Sequence, residues 1–205
     1  MRKLLALLLA AVMLFSLAAC GKEPDTDQKE PNQTAPSSSV GTNDQSQALY
    51  EAVNQLVQCT VMGDTANLEK LAPEAFWLFY ENAGTPRSTL LTGAKYAAEA
   101  GNQYFKGVLG ESITSEFILL GKKDVDAADL AKIAASMAEQ KGIPADQVTA
   151  ACNLTLDVVV NGTAQIVQSM EITAFQIDGN WYCGSYHTDN DRAYVSFEIE
   201  GMIGG

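Results

Sequence analysis

Basic residues and histidine are scarce in this chain. Its 205 residues include 13 lysines and arginines against 25 aspartates and glutamates, and one histidine, for a formal net charge of −12. A protein that binds nucleic acid needs basic surface to neutralise phosphate, and an electrostatic grip on anionic lipid needs the same. We therefore expect no nucleic-acid partner, and we expect an acidic surface that favours solubility.

The sequence also lacks the cysteine spacings of metal and redox sites. It has four cysteines, and none forms a C-x-x-C pair. Cys59, Cys152, Cys183 and His187 could supply four zinc ligands, but their spacing indicates no structural zinc site, and we expect neither a metal nor a cofactor. Cys152 and Cys183 lie on predicted neighbouring strands and could form a disulfide. The alternative is that the three cysteines are small buried hydrophobic residues.

What the chain does contain is a leader-like beginning. Arg2 and Lys3 precede an uncharged run of 16 residues, 4–19, which is mostly Leu, Ala, Val, Met and Phe. A basic head, an apolar stretch and small residues before a cleavage site are the parts of a secretory signal peptide. An uncleaved membrane helix is the alternative, but a span needs about 20 residues. We therefore predict a signal peptide over residues 1–19.

The residues at the end of this run, Leu17-Ala18-Ala19-Cys20, resemble the lipobox of bacterial lipoproteins. The resemblance implies that the Cys20 sulfur receives a diacylglyceryl group and that Cys20 becomes the first residue of the mature chain. Two or more acyl chains anchor stably, because each buried CH₂ contributes about 0.8 kcal/mol. The implied partner is membrane lipid, and the implied location is the extracytoplasmic face of the cell membrane. The alternative is a plain secreted or buried cysteine.

The segment after Cys20 is poor in apolar residues. Residues 21–45 contain three prolines and one bulky apolar residue, Val40. Such a segment cannot bury enough apolar surface to offset its chain entropy, so we predict a disordered tether over residues 20–45. Residues 46–205 are then long enough for a single domain with one core. Loss of Arg2 and Lys3 with the leader leaves 11 basic against 25 acidic residues, a net charge of −14.

Apolar residues at helical spacing predict four helices. Leu49 and Val53 begin the stripe of the first helix, and Asp64 and Asp126 have the position of N-caps for the second and the fourth. Pro86, after a threonine, begins the third. The predicted helices cover 47–62, 64–71, 86–106 and 126–142, with an aromatic turn after Pro73 between the second and the third.

Alternating apolar and polar residues predict strands in the second half of the chain. Asn161-Gly162 and Asp178-Gly179 are two-residue hairpin signals. The alternation breaks near Ala174-Phe175, which predicts a bulge. The predicted strands cover 113–120, 152–160, 163–177, 181–186 and 194–199. Helices first and a meander last are typical of an α+β fold, here with the N-terminal helices on one face of a curved antiparallel sheet.

Two stretches resemble extracytoplasmic lipoproteins of the nuclear transport factor two-like superfamily: GDTANLEKLAP at 63–73 and ITAFQIDGNWYCGSY at 172–186. The resemblance implies a cone of bent sheet wrapped on helices, sometimes with a pocket inside. Members of the superfamily include small isomerases and dehydratases as well as non-catalytic domains, so the fold does not decide the function.

The candidate chemical groups are few. Cys183 stands four residues before His187, about 13 Å along a strand, which is too far for a nucleophile–base hydrogen bond. We expect His187 in an exposed polar loop. Asp189 and Asp191 faintly suggest a calcium loop, but the glycine and the distal glutamate of such loops are missing. We also expect no metal there.

Acidic and aromatic residues are the remaining candidates. An isomerase-type site needs a carboxylate in an apolar interior, whereas alternation places Glu116 and Glu171 towards water. Trp77, Tyr80 and Trp181 could form the walls of a ligand pocket, with core packing as the alternative.

The sequence therefore favours a membrane-anchored lipoprotein with a non-catalytic module that binds a small molecule, a peptide or an envelope protein. The alternative is a small enzyme of isomerase or hydrolase type that uses an acidic residue in the cone interior. A third reading, a metal-dependent envelope sensor, would use Asp189 and Asp191.

Overall fold

Helices lead and strands follow in the computed structural model, which describes residues 43–189 and 192–203. The α-helices are α1 (Asn43–Thr60), α2 (Glu74–Asn82), α3 (Arg87–Leu109), α4 (Ala127–Lys141) and α5 (Glu198–Ile203). The strands are β1 (Thr114–Asp124), β2 (Val148–Asn161), β3 (Gln165–Ile177), β4 (Asn180–Asp189) and β5 (Arg192–Phe197). Short 3₁₀ turns occupy Leu68–Leu71 and Ala145–Gln147. The class is α+β, as predicted.

The N-terminal predictions fall almost wholly outside the described residues. The signal peptide over 1–19, the lipidation of Cys20 and most of the tether over 20–45 are therefore still predictions. Helix α1 begins at Asn43, inside the range predicted for the tether. Within residues 43–189 and 192–203, no helix is long and apolar enough to cross a bilayer.

Helix α4 follows the predicted capping chemistry. The Asp126 carboxylate accepts hydrogen bonds from the backbone N–H groups of Ala128 at 3.0 Å and Asp129 at 2.9 Å. These two N–H groups have no partner within the helix, so the cap satisfies them. Gly142 ends the helix at φ 66°, a left-handed conformation that glycine adopts readily.

The second predicted helix is wrong. Asp64 accepts from the backbone N–H of Ala66 at 3.0 Å and from the Asn67 amide at 2.6 Å. This local turn competes with helix formation, and only the 3₁₀ turn Leu68–Leu71 follows. The aromatic segment predicted as a turn is instead helix α2. Helix α3 has Pro86 at its N-cap rather than at its first helical position.

The five strands form one antiparallel sheet in the order β1-β2-β3-β4-β5. Asp178 and Gly179 join β3 to β4 with φ 49° and 78°, the two positive angles of the predicted tight turn. The predicted two-residue turn at Asn161-Gly162 is wrong, since three residues, 162–164, connect β2 and β3. The Thr163 N–H donates to the Leu109 carbonyl at 2.7 Å, so this loop docks on the end of α3.

Helices cover both faces of the sheet rather than one. Paired residues share a face and successive residues alternate. Face one carries Leu154, Leu156 and Val158 of β2, and α1 packs on it through the Tyr50–Phe117 ring contact at 5.0 Å.

Face two carries Asn153, Thr155 and Asp157 of β2. Its β4–β5 end is covered by α4, where Ser136 donates to the Ala193 carbonyl at 3.1 Å. It is also covered by α2, where Phe76 meets Phe197 at 5.5 Å.

This double coverage explains why the alternation breaks in β3. Ile172 and Ala174 are buried on face one and Phe175 on face two, because helices cover both faces at this end of the strand. Thr173 is also buried, and it borders the open part of face two. The predicted bulge at Ala174-Phe175 is wrong. The register shifts lie instead between Leu119 and Gly121 on β1 and between Val148 and Ala150 on β2.

The end of the chain also departs from the predicted strand over 194–199. Strand β5 stops at Phe197, and α5 begins at Glu198. The Glu200 carboxylate accepts a hydrogen bond from the Phe197 N–H at 2.8 Å, which satisfies a free donor at the helix start. The same carboxylate binds the Tyr80 hydroxyl at 3.2 Å and the Lys141 ammonium. This cluster ties α2, α4 and α5 together.

Candidate binding groove

A cavity of about 560 Å³ opens where β4 separates from β3. The two strands pair only from Thr173↔Gly184 to Ile177↔Asn180. Beyond Gly184, β4 continues with β5 as far as Asp189↔Arg192, while β3 continues with β2. We call the space in this division the fork groove. Its lining includes Lys123, Asn153, Thr155, Glu171, Thr173 and Tyr186.

The polar lining follows from the strand alternation. Lys123, Asn153 and Thr173 stand in one row across β1, β2 and β3. Thr155 and Glu171 form the next pair on the same face. The groove therefore occupies the part of face two that the helices leave open, where alternation places polar residues.

Thr173 fixes the floor of the fork groove. Its side chain is 5% exposed, and its hydroxyl donates to the Asn153 side-chain oxygen at 2.9 Å. A buried hydroxyl held in this way keeps one orientation. The neighbouring amide is therefore positioned before any ligand arrives.

One ionisable group of the groove is tuned by its surroundings. Burial raises the pKa of Tyr186, and the nearby Asp129 carboxylate adds to the rise. At neutral pH the groove thus presents a neutral phenol on β4. Lys122 pairs with Leu154 and so lies on face one, where its hydrogen bond to Asp124 at 3.0 Å raises the pKa of the lysine.

The charges of the groove lie on opposite walls. Lys123 stands on β1 and Glu171 on β3, two strand spacings across and two residues along the strands. Their Cα atoms are therefore about 12 Å apart. This arrangement suits a ligand with a negative group at one end and a positive group at the other. Among the described residues, no group of three or more histidine, cysteine and acidic side chains could hold a metal ion.

The aromatic residues predicted to form a pocket lie elsewhere. Trp77 is 1% exposed, and its indole N–H donates to the Glu69 carbonyl at 3.0 Å. Tyr80 is half-buried and donates to Glu200 at 3.2 Å. Trp181 is half-buried on β4. The structure brings Trp77 and Tyr80 together around Phe76, at ring distances of 5.0 and 4.9 Å. None of these residues lines the fork groove, and a ligand pocket on them is still a prediction.

The only histidine stands on a strand rather than in a loop. His187 is exposed on β4 and stacks on Tyr194 with ring centroids 5.1 Å apart. Cys183 is four residues away on the same strand and is buried. Asp189 is exposed at the end of β4, while Asp191 lies outside the described residues, so a calcium loop there is untested.

The three cysteines after Cys20 are free and buried. Cys152 and Cys183 both oppose Ala174, one on each side of β3. Two strand spacings separate them by about 10 Å, beyond the reach of a disulfide. Burial raises the pKa of Cys59 to about 12 and that of Cys152 to about 11, and it also raises that of Cys183. These thiols are therefore poor nucleophiles.

The two acidic residues that the sequence analysis placed towards water are exposed, whereas a third acidic residue is partly buried. Glu116 and Glu171 are exposed on the sheet. Glu198 was not singled out by the sequence, yet burial raises the pKa of its carboxyl. It stands at the first position of α5, in a segment for which the sequence predicted a strand instead of a helix. The fork groove itself was missed because it depends on where two strands part.

No family model, curated protein or solved structure matches the chain.

Proposed function

We propose that this protein is a bacterial lipoprotein, anchored by Cys20 at the extracytoplasmic face of the cell membrane. Its folded part would be a non-catalytic binding module built as a nuclear transport factor two-like roll. The observation that carries the anchor is Leu17-Ala18-Ala19-Cys20 behind an uncharged apolar run. The α+β arrangement of helices and a five-stranded antiparallel sheet is consistent with such a roll.

The fork groove is the proposed binding site. The Cα atoms of Lys123 and Glu171, on opposite walls, are about 12 Å apart. This matches the separation of the carboxylate and ammonium ends of an extended peptide of about three to four residues. The polar groups between them, Asn153, Thr155 and Thr173, offer hydrogen bonds to peptide amides. We therefore propose that the ligand is a short peptide with free termini or a zwitterion of similar length.

The interior favours binding over the isomerase or hydrolase alternative. Phe76, Trp77, Phe175 and Phe197 are at most 1% exposed and pack edge-on, with Phe175 and Phe197 6.2 Å apart. A substrate cone would need open space among such side chains. Burial raises the pKa of the Glu198 carboxyl, but this residue does not line the fork groove.

Cell fractionation tests the anchor. The native chain is expected in the membrane fraction and is released by detergent. A Cys20→Ala chain is expected to lose that partitioning, because the acceptor sulfur for the lipid is gone. A Cys152→Ala chain, which lacks a buried thiol instead, is the matched control and should remain in the membrane. Equal partitioning of the native and Cys20→Ala chains would overturn the anchor.

Amide NMR shifts test the groove, with trialanine as the probe. Free-ended trialanine is expected to shift signals of residues 121–123, 153–155 and 171–173. Acetylated and amidated trialanine, which lacks both charges, is expected to leave them unchanged. Glu171→Gln should weaken the response, whereas Glu116→Gln, on the same open face but outside the groove, should not. Equal shifts from both peptides, or shifts elsewhere on the protein, would contradict the proposed ligand.

A further inference from the structure

Strand β3 has one unprotected edge. Its pairing with β4 stops at Thr173, so among the strands of residues 43–189 and 192–203, residues 165–172 pair with β2 alone. We propose that this edge pairs with the same edge of a second copy of the chain, in antiparallel register about a two-fold axis at Gln168. This proposal goes beyond the proposed function and does not depend on it.

The two outer edges of the sheet, on β1 and β5, are protected. A shift in register between Leu119 and Gly121 interrupts β1, and Lys122 and Lys123 follow directly on it. Bulges and lysines are the usual devices that keep an edge strand from pairing. On β5, the Ala193 carbonyl is already occupied, since it accepts from Ser136 and Gln140 of α4 at 3.1 and 3.2 Å.

The edge of β3 has none of these devices. Residues 165–172 read QIVQSMEI, without proline, glycine or lysine, and Glu171 is the only charged residue. Val167 is 52% exposed. No register shift interrupts the β2–β3 pairing along this half of the strand. A flat edge of this kind, with one charge and no bulge, is a template for another strand.

The sequence of the edge is self-complementary about Gln168. In that register Gln165 opposes Glu171 of the second copy, Ile166 opposes its Met170 and Val167 opposes its Ser169; the symmetry repeats each pair. The first pair joins an amide to a carboxylate, and the second joins two apolar side chains, which are favourable cross-strand neighbours. The third pair, an apolar side chain against a hydroxyl, is the one mismatch.

Neighbouring registers are worse. With the axis at Ser169, Val167 would oppose Glu171 and Gln168 would oppose Met170, which makes two mismatched pairs instead of one. With the axis at Val167, Ile166 would oppose Gln168, and only residues 165–169 would pair, because β3 begins at Gln165. The Gln168 register also uses only residues 165–171, and so it ends before Thr173, where β4 is bound.

Site-specific disulfide trapping tests this register in the full chain, purified in detergent. In the Gln168→Cys variant the two new cysteines oppose each other at about 4.5–5.5 Å between Cα atoms, within disulfide range. We expect several-fold more covalent dimer than in a Glu171→Cys control, whose two cysteines would lie about 20 Å apart along the strands. A mixture of Gln165→Cys and Glu171→Cys chains should give the covalent heterodimer.

The native chain measures the background of covalent dimer that forms without an introduced cysteine. Its Cys59, Cys152 and Cys183 are buried, and Cys20 is present in every variant, so the native cysteines affect all samples alike. Light scattering should show a dimer for the native chain. Gln168→Lys, which places like charges face to face at the axis, should shift it to monomer, and its unfolding midpoint should then no longer depend on protein concentration.

Three results would overturn the proposal: equal crosslinking of the Gln168→Cys and Glu171→Cys variants, a native chain that is monomeric at every concentration, or capture of a different protein by the Gln168→Cys variant. A lipidated chain that is monomeric would contradict the dimer and leave the proposed function unaffected. A dimeric chain without lipid would contradict the proposed lipid anchor and leave the dimer unaffected.

Discussion

The two halves of β3 differ in almost every physical respect. Residues 172–175 are buried in succession between covered faces, whereas residues 165–171 are largely exposed. The covered half is held between β2 and β4, and the open half has β2 alone. One strand therefore supplies core to the domain at one end and an available surface at the other. The fork groove lies where the two halves meet.

The largest effect is expected from truncating the covered half. Phe175→Ala removes a ring that is 0% exposed, and such changes typically cost about 3–5 kcal/mol because they leave a cavity. Val167→Ala, on the open half, should change the free energy of unfolding by less than about 0.5 kcal/mol. Urea unfolding of both variants measures the contrast. Similar losses in the free energy of unfolding from the two variants would contradict the difference between the covered and the open half.

The next effect concerns β4 beside the covered half. A Cβ at Gly184 would stand 2.0 Å from the Ser196 carbonyl oxygen and 3.0 Å from the Phe175 ring. Gly184→Ala should therefore destabilise the fold by about 1–3 kcal/mol. At Gly107 on α3 a Cβ meets no atom within 4 Å, so Gly107→Ala should stabilise by about 0.5–1 kcal/mol. Thermal unfolding of the two variants should move in opposite directions; a shared direction would contradict the geometry.

A smaller effect is expected where α4 begins, since α4 covers face two. Asp126→Ala removes the acceptor of two backbone N–H groups and should cost about 1 kcal/mol. Asp146→Ala removes an exposed carboxylate of the 3₁₀ turn Ala145–Gln147 and should cost less than about 0.5 kcal/mol. Chemical denaturation compares them. If both losses were equal, the cap would contribute nothing beyond ordinary surface charge.

The smallest effect is a pH dependence at Glu198. Burial raises the pKa of this carboxyl in the folded state, so the unfolded chain loses its proton first. The associated stability is present below the unfolded pKa of about 4.3 and is lost as pH rises through the folded value. Relative to Glu198→Gln, the native chain should therefore become less stable between pH 4 and neutrality. A constant difference across this range, measured by urea unfolding, would remove the role of burial.

Local chemistry explains which parts of the fold the sequence could predict. Asp178-Gly179 forms the predicted tight turn because its two positive φ angles favour these residue types. Asp126 caps α4 as predicted because the N–H groups that it binds, those of Ala128 and Asp129, are two and three residues away. Asn161-Gly162 carried an equally strong local signal and failed. There the connection is decided by a distant contact, in which Thr163 donates to the Leu109 carbonyl.

The candidate site was less predictable than the fold. The groove depends on how far β3 and β4 stay paired, and residue types do not reveal that length. Glu171 and Thr173 read as ordinary members of the predicted strand over 163–177, and Lys123 lies just past the predicted strand over 113–120. They form a groove only because β4 separates from β3 after Gly184. The residues around Gly184 carry no sequence signal that predicts this separation. The aromatic residues drew attention because they are conspicuous in the sequence, but Trp77 is in the core.

Intact mass spectrometry of the chain extracted from membranes is the decisive test of the lipid anchor. We expect a polypeptide that begins at Cys20 and carries the added mass of a diacylglyceryl group on that residue. A chain that still begins at Met1, or one that begins near residue 20 without acyl mass, would contradict it.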